Sequence, residues 1–421
     1  MDKPGKFTAL FFLVVVMSFM FLVAASVAVK QLNKVANPET TNKPVPVDWE
    51  EFYPFGDGKV HTPPPKNETM SEYVKRKLEE YTSEYLIARQ KFVEAAKKYE
   101  ELAGWNMASV YSYNPVIKLQ DGFLSGIVES RDVSGNAEAL RDFNEFCRKN
   151  GAELVYLNFP AKICRSQDNG ISGTIDYTNQ NADRFLSRLV ELGVKFYDFR
   201  ELLHNDGRDH HGAFFRTDHH WRPESGLWAA GHILRILRDD YGRQVSPGIL
   251  DPGNFEYVIY PEWFLGSQGK KLTLSRTEPD DFMMIYPKFK VSLDCRIPNE
   301  GVDTAGNFSV IYNFKAVEEK DYYTKSPYHA YVYGDQALIE ITNIQAGNKK
   351  RILLIHDSFS DVVIPFLSLG IGHTCAIDLR QFMGSVEGII RSERPDVVIV
   401  SYNSAVPGRM GGMDWKFYDF R

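Results

Sequence analysis

The chain has 421 residues, of which 43% are hydrophobic and 25% are charged, a composition typical of a globular protein with one large domain or two modest ones. The formal net charge of -6 and the lack of a long basic block argue against nucleic-acid binding. Four cysteines permit three disulfide pairings and favour none of them. No dinucleotide-binding glycine loop or P-loop is present, and no cofactor is predicted.

Residues 1–103 are predicted to form three segments that precede the main domain. Residues 1–36 comprise a short cytoplasmic tail and the uncharged stretch Phe7 to Val29, which as a helix of about 34 Å would span a membrane. Its length favours a retained single-pass anchor in the cell membrane over a cleaved signal, with the rest of the chain on the extracytoplasmic side. Residues 37–67 are proline-rich and predict an extended tether, and residues 68–103 predict one amphipathic helix.

From residue 104 to residue 421, strands are predicted to alternate with helices. The predicted strands are 153–159, 195–199, 351–355, 373–379 and 396–401, and the predicted helical segments are 181–192, 224–241, 361–369 and 385–394. This alternation is the pattern of a doubly wound, mostly parallel α/β sheet. Residues from about 250 to 350 interrupt it with aromatics, glycines and short alternating runs, which predicts a β-rich insertion, either an added lobe or a set of substrate loops.

Two distant stretches carry the residues best suited to chemistry. Asp218 and His220 are two positions apart, so an extended segment would place both side chains on one side and His219 on the other. A carboxylate in that position holds an imidazole in one tautomer and stabilises its charged form. Ser358 follows the predicted strand 351–355, at the edge where open α/β sheets place their ligands. Together these residues predict a Ser-His-Asp nucleophilic triad.

Other interpretations of these residues remain open. Ser358 could serve only as a helix N-cap, and His220 could be a packed core histidine. A metal-binding protein is a further alternative, because six of the ten histidines lie between positions 204 and 232, close to Asp209 and Asp218. No H-E-x-x-H or other strong zinc spacing is formed, so no metal site is predicted.

Several motifs together resemble a known family. They are Thr217-Asp218-His219-His220-Trp221, Asp357-Ser358-Phe359 and Ile377-Asp378-Leu379-Arg380, supported by Phe264-Leu265-Gly266-Ser267 and Tyr331-Val332-Tyr333-Gly334-Asp335. The combination resembles the DHHW family, named for the tetrapeptide, and through it the alginate O-acetylation proteins (AlgX/AlgJ-like) of the bacterial periplasm. The resemblance extends from about residue 104 to the end of the chain. It implies a variant SGNH-hydrolase-like fold in which the Asp-x-His element precedes the serine.

The resemblance also implies a role for each site residue. Ser358 would be the nucleophile, His220 the general base and Asp218 the carboxylate that orients it. Three further residues are implied as substrate-binding candidates, with a structural salt bridge as the alternative for the first two: Arg380, Lys162 at the rim of the site, and Tyr333.

One position departs from the family pattern. His356 stands where SGNH enzymes usually have a glycine before Asp-Ser, so the backbone donors for an oxyanion stay open.

The activity implied by the resemblance is transfer of acetyl groups from an acetylated donor to hydroxyls of a secreted polysaccharide, through an acetyl-serine. Such proteins often act beside a multi-spanning membrane acyltransferase. The same triad could hydrolyse acetyl esters, which makes a carbohydrate acetylesterase the alternative enzyme. A non-catalytic polysaccharide-binding subunit of a cell-envelope assembly complex is the alternative outside the enzymes. Five aromatic residues of the insertion could stack on sugar rings or form core: Trp263, Tyr286, Tyr322, Tyr323 and Tyr328.

Overall fold

The computed structural model describes residues 116–119, 122–166, 169, 175–274, 276–409 and 416–420. All of them belong to one compact unit, Gly104–Arg421. The predicted membrane anchor, tether and amphipathic helix lie outside the described residues. Within the part of the chain that is described, no helix has both the length and the apolar character needed to cross a membrane.

The strands and helices of the described residues are numbered here in chain order. The strands are β1 (Ile117–Lys118), β2 (Leu124–Ser125), β3 (Glu153–Phe159), β4 (Phe196–Asp198), β5 (Phe255–Phe264), β6 (Asp280–Pro287), β7 (Leu293–Ile297), β8 (Val302–Gly306), β9 (Leu338–Asn343), β10 (Arg351–His356), β11 (His373–Ile377) and β12 (Val397–Asn403). The α-helices are α1 (Ser134–Lys149), α2 (Thr178–Glu191), α3 (Phe199–Asn205), α4 (Pro223–Asp239), α5 (Ser267–Leu272), α6 (Ile364–Gly370) and α7 (Val386–Glu393).

Eight strands form a central sheet in the order β4-β3-β12-β10-β11-β9-β7-β8. In this order, the first five strands, β4-β3-β12-β10-β11, are parallel to their neighbours. The remaining pairs, β11-β9, β9-β7 and β7-β8, are antiparallel. Successive residues of β12 point into opposite cores: Val397 and Ile399 pack with α4, whereas Val398 and Val400 pack with α1 and α2. A strand that is buried on both faces explains the uninterrupted apolar sequence of β12. The predicted α/β fold is therefore present, with a mixed, mostly parallel sheet.

The stretch from about 250 to 350, predicted to be a β-rich lobe or a set of substrate loops, does contain five strands, but they do not form a lobe of their own. Strands β7, β8 and β9 extend the central sheet, and only β5 and β6 pair as a two-stranded ribbon of their own. The physical reason is visible in β7, whose alternate residues Leu293, Cys295 and Ile297 are fully buried in the main core. A few short strands alone could not bury such a face.

The alternating part of the chain follows the predicted elements closely. Strand β3 has the predicted ends, and the other predicted strands and helices shift by up to three residues. The predicted helical segment 361–369 is divided into a 3-10 helix, Ser358–Val362, and α6. Pro365 explains the division, because it lacks an N–H and is tolerated only in the first turn of a helix. The four cysteines are buried, and none of them forms a disulfide.

Candidate active site

Ser358 lies at the carboxyl end of β10, where a sharp turn leads into the 3-10 helix Ser358–Val362. Asp357 holds this turn through both carboxylate oxygens. One accepts the Phe359 N–H at 3.0 Å and the other accepts the Asn403 N–H of β12 at 2.7 Å. Burial raises the pKa of Asp357 to about 6. Ser358 is 9% exposed, so the turn places a nearly buried hydroxyl at the edge of the sheet.

The Asp218–His220 segment comes to this hydroxyl from another part of the fold. His220 Nε2 lies 2.7 Å from Ser358 Oγ, and His220 Nδ1 lies 2.6 Å from Asp218 Oδ1. The His220 backbone N–H also donates to Asp218 Oδ1, at 3.1 Å. Serine, imidazole and carboxylate therefore form one hydrogen-bonded chain with the geometry of a nucleophile, a base and an orienting group.

The segment reaches that geometry by a bend, not by an extended strand, so the predicted orientation of His219 is wrong. Phe214 and Trp221 pair as a β-bridge, and the chain between them turns back on itself. As a result the His219 ring lies 3.8 Å from the His220 ring, centroid to centroid. His219 Nδ1 is 3.2 Å from Ser267 Oγ and 3.4 Å from Asp218 Oδ1. His219 therefore borders the site with half of its side chain exposed.

Asp218 is held as a carboxylate by its surroundings. Its side chain is nearly fully buried, and its Oδ2 accepts the Ser267 N–H at 2.6 Å. Burial alone would raise the pKa of Asp218, but the adjacent imidazoles of His219 and His220 and the Ser267 N–H hold it well below its usual range. Gly266 permits this contact, because a Cβ there would lie 2.2 Å from the Asp218 Cβ. The Phe-Leu-Gly-Ser motif thus supports the carboxylate.

Tyr328 completes the environment of the imidazole. Its ring stacks on His220 at a centroid distance of 4.2 Å and an interplanar angle of 13°. Its hydroxyl donates to the Ser358 carbonyl oxygen at 3.1 Å. Tyr328 is 2% exposed, so its ring packs against His220 and does not offer a face to a sugar. Its role could not be read from the sequence, where it was one of five candidate stacking aromatics.

Arg380 forms the structural salt bridge that was the alternative to substrate binding. Its Nε donates to both carboxylate oxygens of Asp378, at 2.9 and 3.0 Å, and its Nη2 donates to Asp335 at 2.8 Å. Asp378 is fully buried, whereas Asp335 is 34% exposed. Arg380 thereby ties the end of β11 to the Tyr331–Asp335 motif.

Tyr333 lies half-buried in a left-handed turn of that motif. Val332, Tyr333 and Gly334 have φ angles of 45°, 66° and 79°. Such angles are strained for a β-branched residue such as Val332. The Tyr333 carbonyl accepts a hydrogen bond from Gln336 Nε2 at 3.0 Å, and this turn delivers Asp335 to Arg380.

Lys162 and His356 are both buried. The resemblance implies Lys162 at the rim of the site, but Lys162 is 3% exposed and lies in the interior. The His356 ring is fully buried beside the Ser358 turn, with Nδ1 2.9 Å from the Asp357 carbonyl oxygen. The position taken by glycine in the family pattern is therefore filled by a packed imidazole.

One group of side chains in the described part of the chain has the proximity that metal binding needs. Ligand atoms of Asp218, His219 and His220 lie within 4.8 Å of one another. Both ring nitrogens of His220 are already hydrogen-bonded, one to Asp218 and one to Ser358. A metal ion on His220 would therefore replace one of these hydrogen bonds.

A family of known proteins matches a part of the chain that includes some of these site residues. Residues 121–248 match the family described as the SGNH hydrolase-like domain of the acetyltransferase AlgX. The resemblance to the alginate O-acetylation proteins is thereby confirmed. Residues 121–248 thus resemble an SGNH hydrolase-like acetyltransferase domain. The matched range includes Asp218 and His220, whereas Ser358 lies beyond it.

Solved structures that share the fold include the following two. Bacillus cereus PatB1, solved with a sulfonyl adduct, is 19% identical, with a TM-score of 0.59 over 73% of this chain and 99% of that chain. A DHHW family protein from Eubacterium siraeum DSM 15702 is 16% identical, with a TM-score of 0.56 over 73% of this chain and 94% of that chain. The sequence matches no curated protein.

Proposed function

We propose that the chain is an extracytoplasmic polysaccharide O-acetyltransferase that carries the acetyl group on Ser358. The observation that carries this proposal is the hydrogen-bonded chain from Ser358 Oγ to His220 Nε2, at 2.7 Å, and from His220 Nδ1 to Asp218 Oδ1, at 2.6 Å. The match to an acetyltransferase domain supports acetyl as the acyl group.

In the first half-reaction, Ser358 Oγ attacks the carbonyl carbon of an acetylated donor. His220 Nε2 takes the hydroxyl proton, and the Asp218 carboxylate stabilises the imidazolium that forms. The tetrahedral intermediate then collapses, the bond from the acetyl carbon to the donor oxygen breaks, and His220 returns the proton to the leaving oxygen. Asp218 can serve in this way throughout the neutral range, because its pKa is held well below its usual value.

In the second half-reaction, a sugar hydroxyl attacks the acetyl-serine. His220 takes the proton from that hydroxyl, the second intermediate collapses, and Ser358 leaves with the proton as a free hydroxyl. The products are an O-acetylated sugar and the original enzyme. Water in place of the sugar would give hydrolysis, so the acceptor decides between transferase and esterase.

The proposal extends to the setting of the reaction. The anchor predicted in residues 1–36 would hold the domain at the outer surface of the cell membrane. The polysaccharide would be the acceptor, and a multi-spanning membrane acyltransferase would be a partner that delivers the acetylated donor.

The test uses the purified full chain, a chromogenic acetyl ester and a panel of oligosaccharides. We expect acetylated sugar by mass spectrometry, an acetyl group on the Ser358 peptide, and loss of both in Ser358→Ala. The matched control is Ser360→Ala, because Ser360 is a buried serine in the same 3-10 helix. Its hydroxyl is hydrogen-bonded to the Ser401 hydroxyl at 2.8 Å and not to His220. Ester hydrolysis that no sugar alters would favour an acetylesterase. Sugar binding without turnover of any ester would favour a non-catalytic subunit.

A further inference from the structure

A buried lysine lies beneath the 216–218 segment that leads to His220. Lys162 Nζ donates to the carbonyl oxygen of Leu124 at 2.6 Å, to that of Arg216 at 3.3 Å and, by a shorter contact, to that of Asp218. It also donates to Gln268 Oε1 at 3.3 Å. These four acceptors are uncharged oxygens, and burying an ammonium among such groups costs free energy that a neutral side chain would not cost.

The opposite edge of the same segment is held by an anion. The Asp280 carboxylate accepts the N–H groups of Arg216 and Thr217, at 2.7 and 2.8 Å, and the Thr217 hydroxyl at 2.6 Å. Two carbonyl groups of the segment, those of Arg216 and Asp218, therefore face a cation, and the N–H groups of Arg216 and Thr217 face a carboxylate. The two peptide planes that meet at the Asp218 Cα are also held, because the Gly269 N–H donates to the Thr217 carbonyl at 2.8 Å and Lys162 donates to the Asp218 carbonyl. The Asp218 Cα therefore has little freedom to move.

We infer that Lys162 is a positioning residue for the proposed acetyl transfer, with its ammonium fixing the Asp218 main chain and thereby the point at which the carboxylate meets His220. The inference rests on the proposed function. Lys162 acts here through Asp218, because its hydrogen bond goes to the Asp218 carbonyl and not to the carboxylate that His220 uses. Misplacement of a catalytic group by about 1 Å can lower a rate by about 10²-fold, so a main-chain contact can control the chemistry.

Lys162→Met removes the ammonium and keeps an unbranched apolar side chain in the buried space. The matched control is Lys270→Met in α5. Lys270 is half-buried, and its charge also acts on Asp218, but its ammonium donates to the Lys325 carbonyl, outside the 216–218 segment. The pair of variants separates hydrogen bonding to the segment from a general effect of positive charge on Asp218.

The assay is hydrolysis of a chromogenic acetyl ester by the purified full chain, with the rate divided by the concentration of reactive Ser358. That concentration is measured by stoichiometric sulfonylation with a sulfonyl fluoride, located on the Ser358 peptide by mass spectrometry. Misfolded protein is thereby removed from the comparison. We expect kcat per reactive Ser358 to fall at least tenfold in Lys162→Met with KM changed less than twofold, and both constants to stay within twofold in Lys270→Met.

Two results would overturn the inference. An unchanged kcat per reactive Ser358 in Lys162→Met, with a lower Tm, would make the lysine purely structural, and equal losses in both variants would assign the effect to charge alone. If Lys162→Met does not fold, Lys162→Gln carries the test, because its amide is polar but uncharged and too short to donate to the same three carbonyl oxygens: an at least tenfold lower kcat per reactive Ser358 supports the inference, and an unchanged value overturns it. A wild-type chain whose Ser358 takes no sulfonyl group would overturn the proposed function first, and this inference with it.

Discussion

His220 Nε2 lies 2.7 Å from Ser358 Oγ although the two residues are 138 positions apart in the sequence. Their immediate neighbours make the connection rigid, because the Trp221 indole N–H donates to the Phe359 carbonyl oxygen at 2.8 Å. Trp221 is fully buried, so the contact that aligns His220 with Ser358 is also part of the hydrophobic core. Fold and site geometry are therefore coupled at this point.

If Ser358 and His220 act as one unit, Ser358→Ala and His220→Ala should each lower acetyl transfer by on the order of 10³-fold or more. The double variant should be no slower than the slower single variant, because either change alone already disables the hydrogen-bonded pair. The measurement is the transfer rate together with thermal unfolding of each variant. A double variant with the multiplied loss of two independent residues would contradict a shared role.

Asp218→Asn should lower the rate by on the order of 10²-fold or more, because a neutral amide does not stabilise the imidazolium as a carboxylate does. It should also lower the stability of the fold. Both oxygens of Asp218 accept hydrogen bonds, from His220 and Ser267, and the asparagine NH2 group, which can only donate, would replace one of these acceptors. His219→Ala is the control and should cost less than tenfold, because His219 touches the edge of the site. Rates and urea midpoints of both variants check this. A folded His219→Ala chain with no activity, beside an active His220→Ala chain, would refute the assignment.

Two glycines of α4 provide a matched pair for the packing of this helix. A Cβ at Gly226 would lie 2.2 Å from the Val362 carbonyl oxygen, whereas at Gly231 the nearest atom, at 4.0 Å, is the end of the Arg235 side chain. Gly226→Ala should therefore destabilise the fold by about 1–3 kcal/mol through overpacking and lower activity, because Val362 ends the 3-10 helix that begins at Ser358. Gly231→Ala should be neutral or stabilise by up to about 1 kcal/mol. Urea unfolding distinguishes the two outcomes, and equal stabilities would show that α4 can move away from Val362.

The parts of the fold that were predictable are those whose sequence pattern has one physical solution. The apolar runs of β3, β10 and β12 are short and rich in strand-forming residues, which favours buried strands over helices, and the position of Ser358 follows from where β10 ends. The sequence could not predict that β7 and β9 join the central sheet, because a strand with alternating apolar residues can bury its apolar face against any neighbouring hydrophobic core. Only the tertiary fold shows that this core is the main one.

The three central residues of the candidate site could be named from the sequence, but the contacts that hold them in place could not. Asp218, His220 and Ser358 could be named from their chemistry and position, but the bend that carries His219 to the His220 ring depends on the bridge between Phe214 and Trp221. Pairing between two residues seven positions apart leaves no periodic signal. The contacts of Lys162 likewise depend on four acceptors, and Leu124, Arg216, Asp218 and Gln268 are brought together only by the fold.

The Arg380 ion pair predicts a stability effect. Arg380→Met would leave the fully buried Asp378 carboxylate without its cation, which costs about 3–5 kcal/mol in comparable buried pairs. Adding Asp378→Asn should restore part of that loss, because the second change removes the unpaired charge. Urea unfolding of the single and double variants measures both steps. A raised KM for the oligosaccharide with unchanged stability would instead assign Arg380 to substrate binding.

The last prediction concerns the pH dependence of stability that Lys162 imposes. Burial lowers the pKa of its ammonium to about 7, with Asp218 and Asp280 opposing the shift in part, whereas in the unfolded chain the pKa is about 10.4. Between these values the unfolded state binds more protons than the folded state, so the free energy of unfolding rises with pH in this window, by at most about 1.4 kcal/mol per pH unit.

Lys162→Met lacks this proton and isolates its effect. The free energy of unfolding of the wild type minus that of the variant should be smallest below pH 7 and should increase as the pH is raised toward 10. The measurement is urea unfolding of both proteins at pH 6, 7, 8 and 9, which subtracts the titration of every group that the two chains share. A difference that stays constant over this range would mean that the buried ammonium keeps its ordinary pKa, and that its four oxygen acceptors fully replace the water it loses on folding.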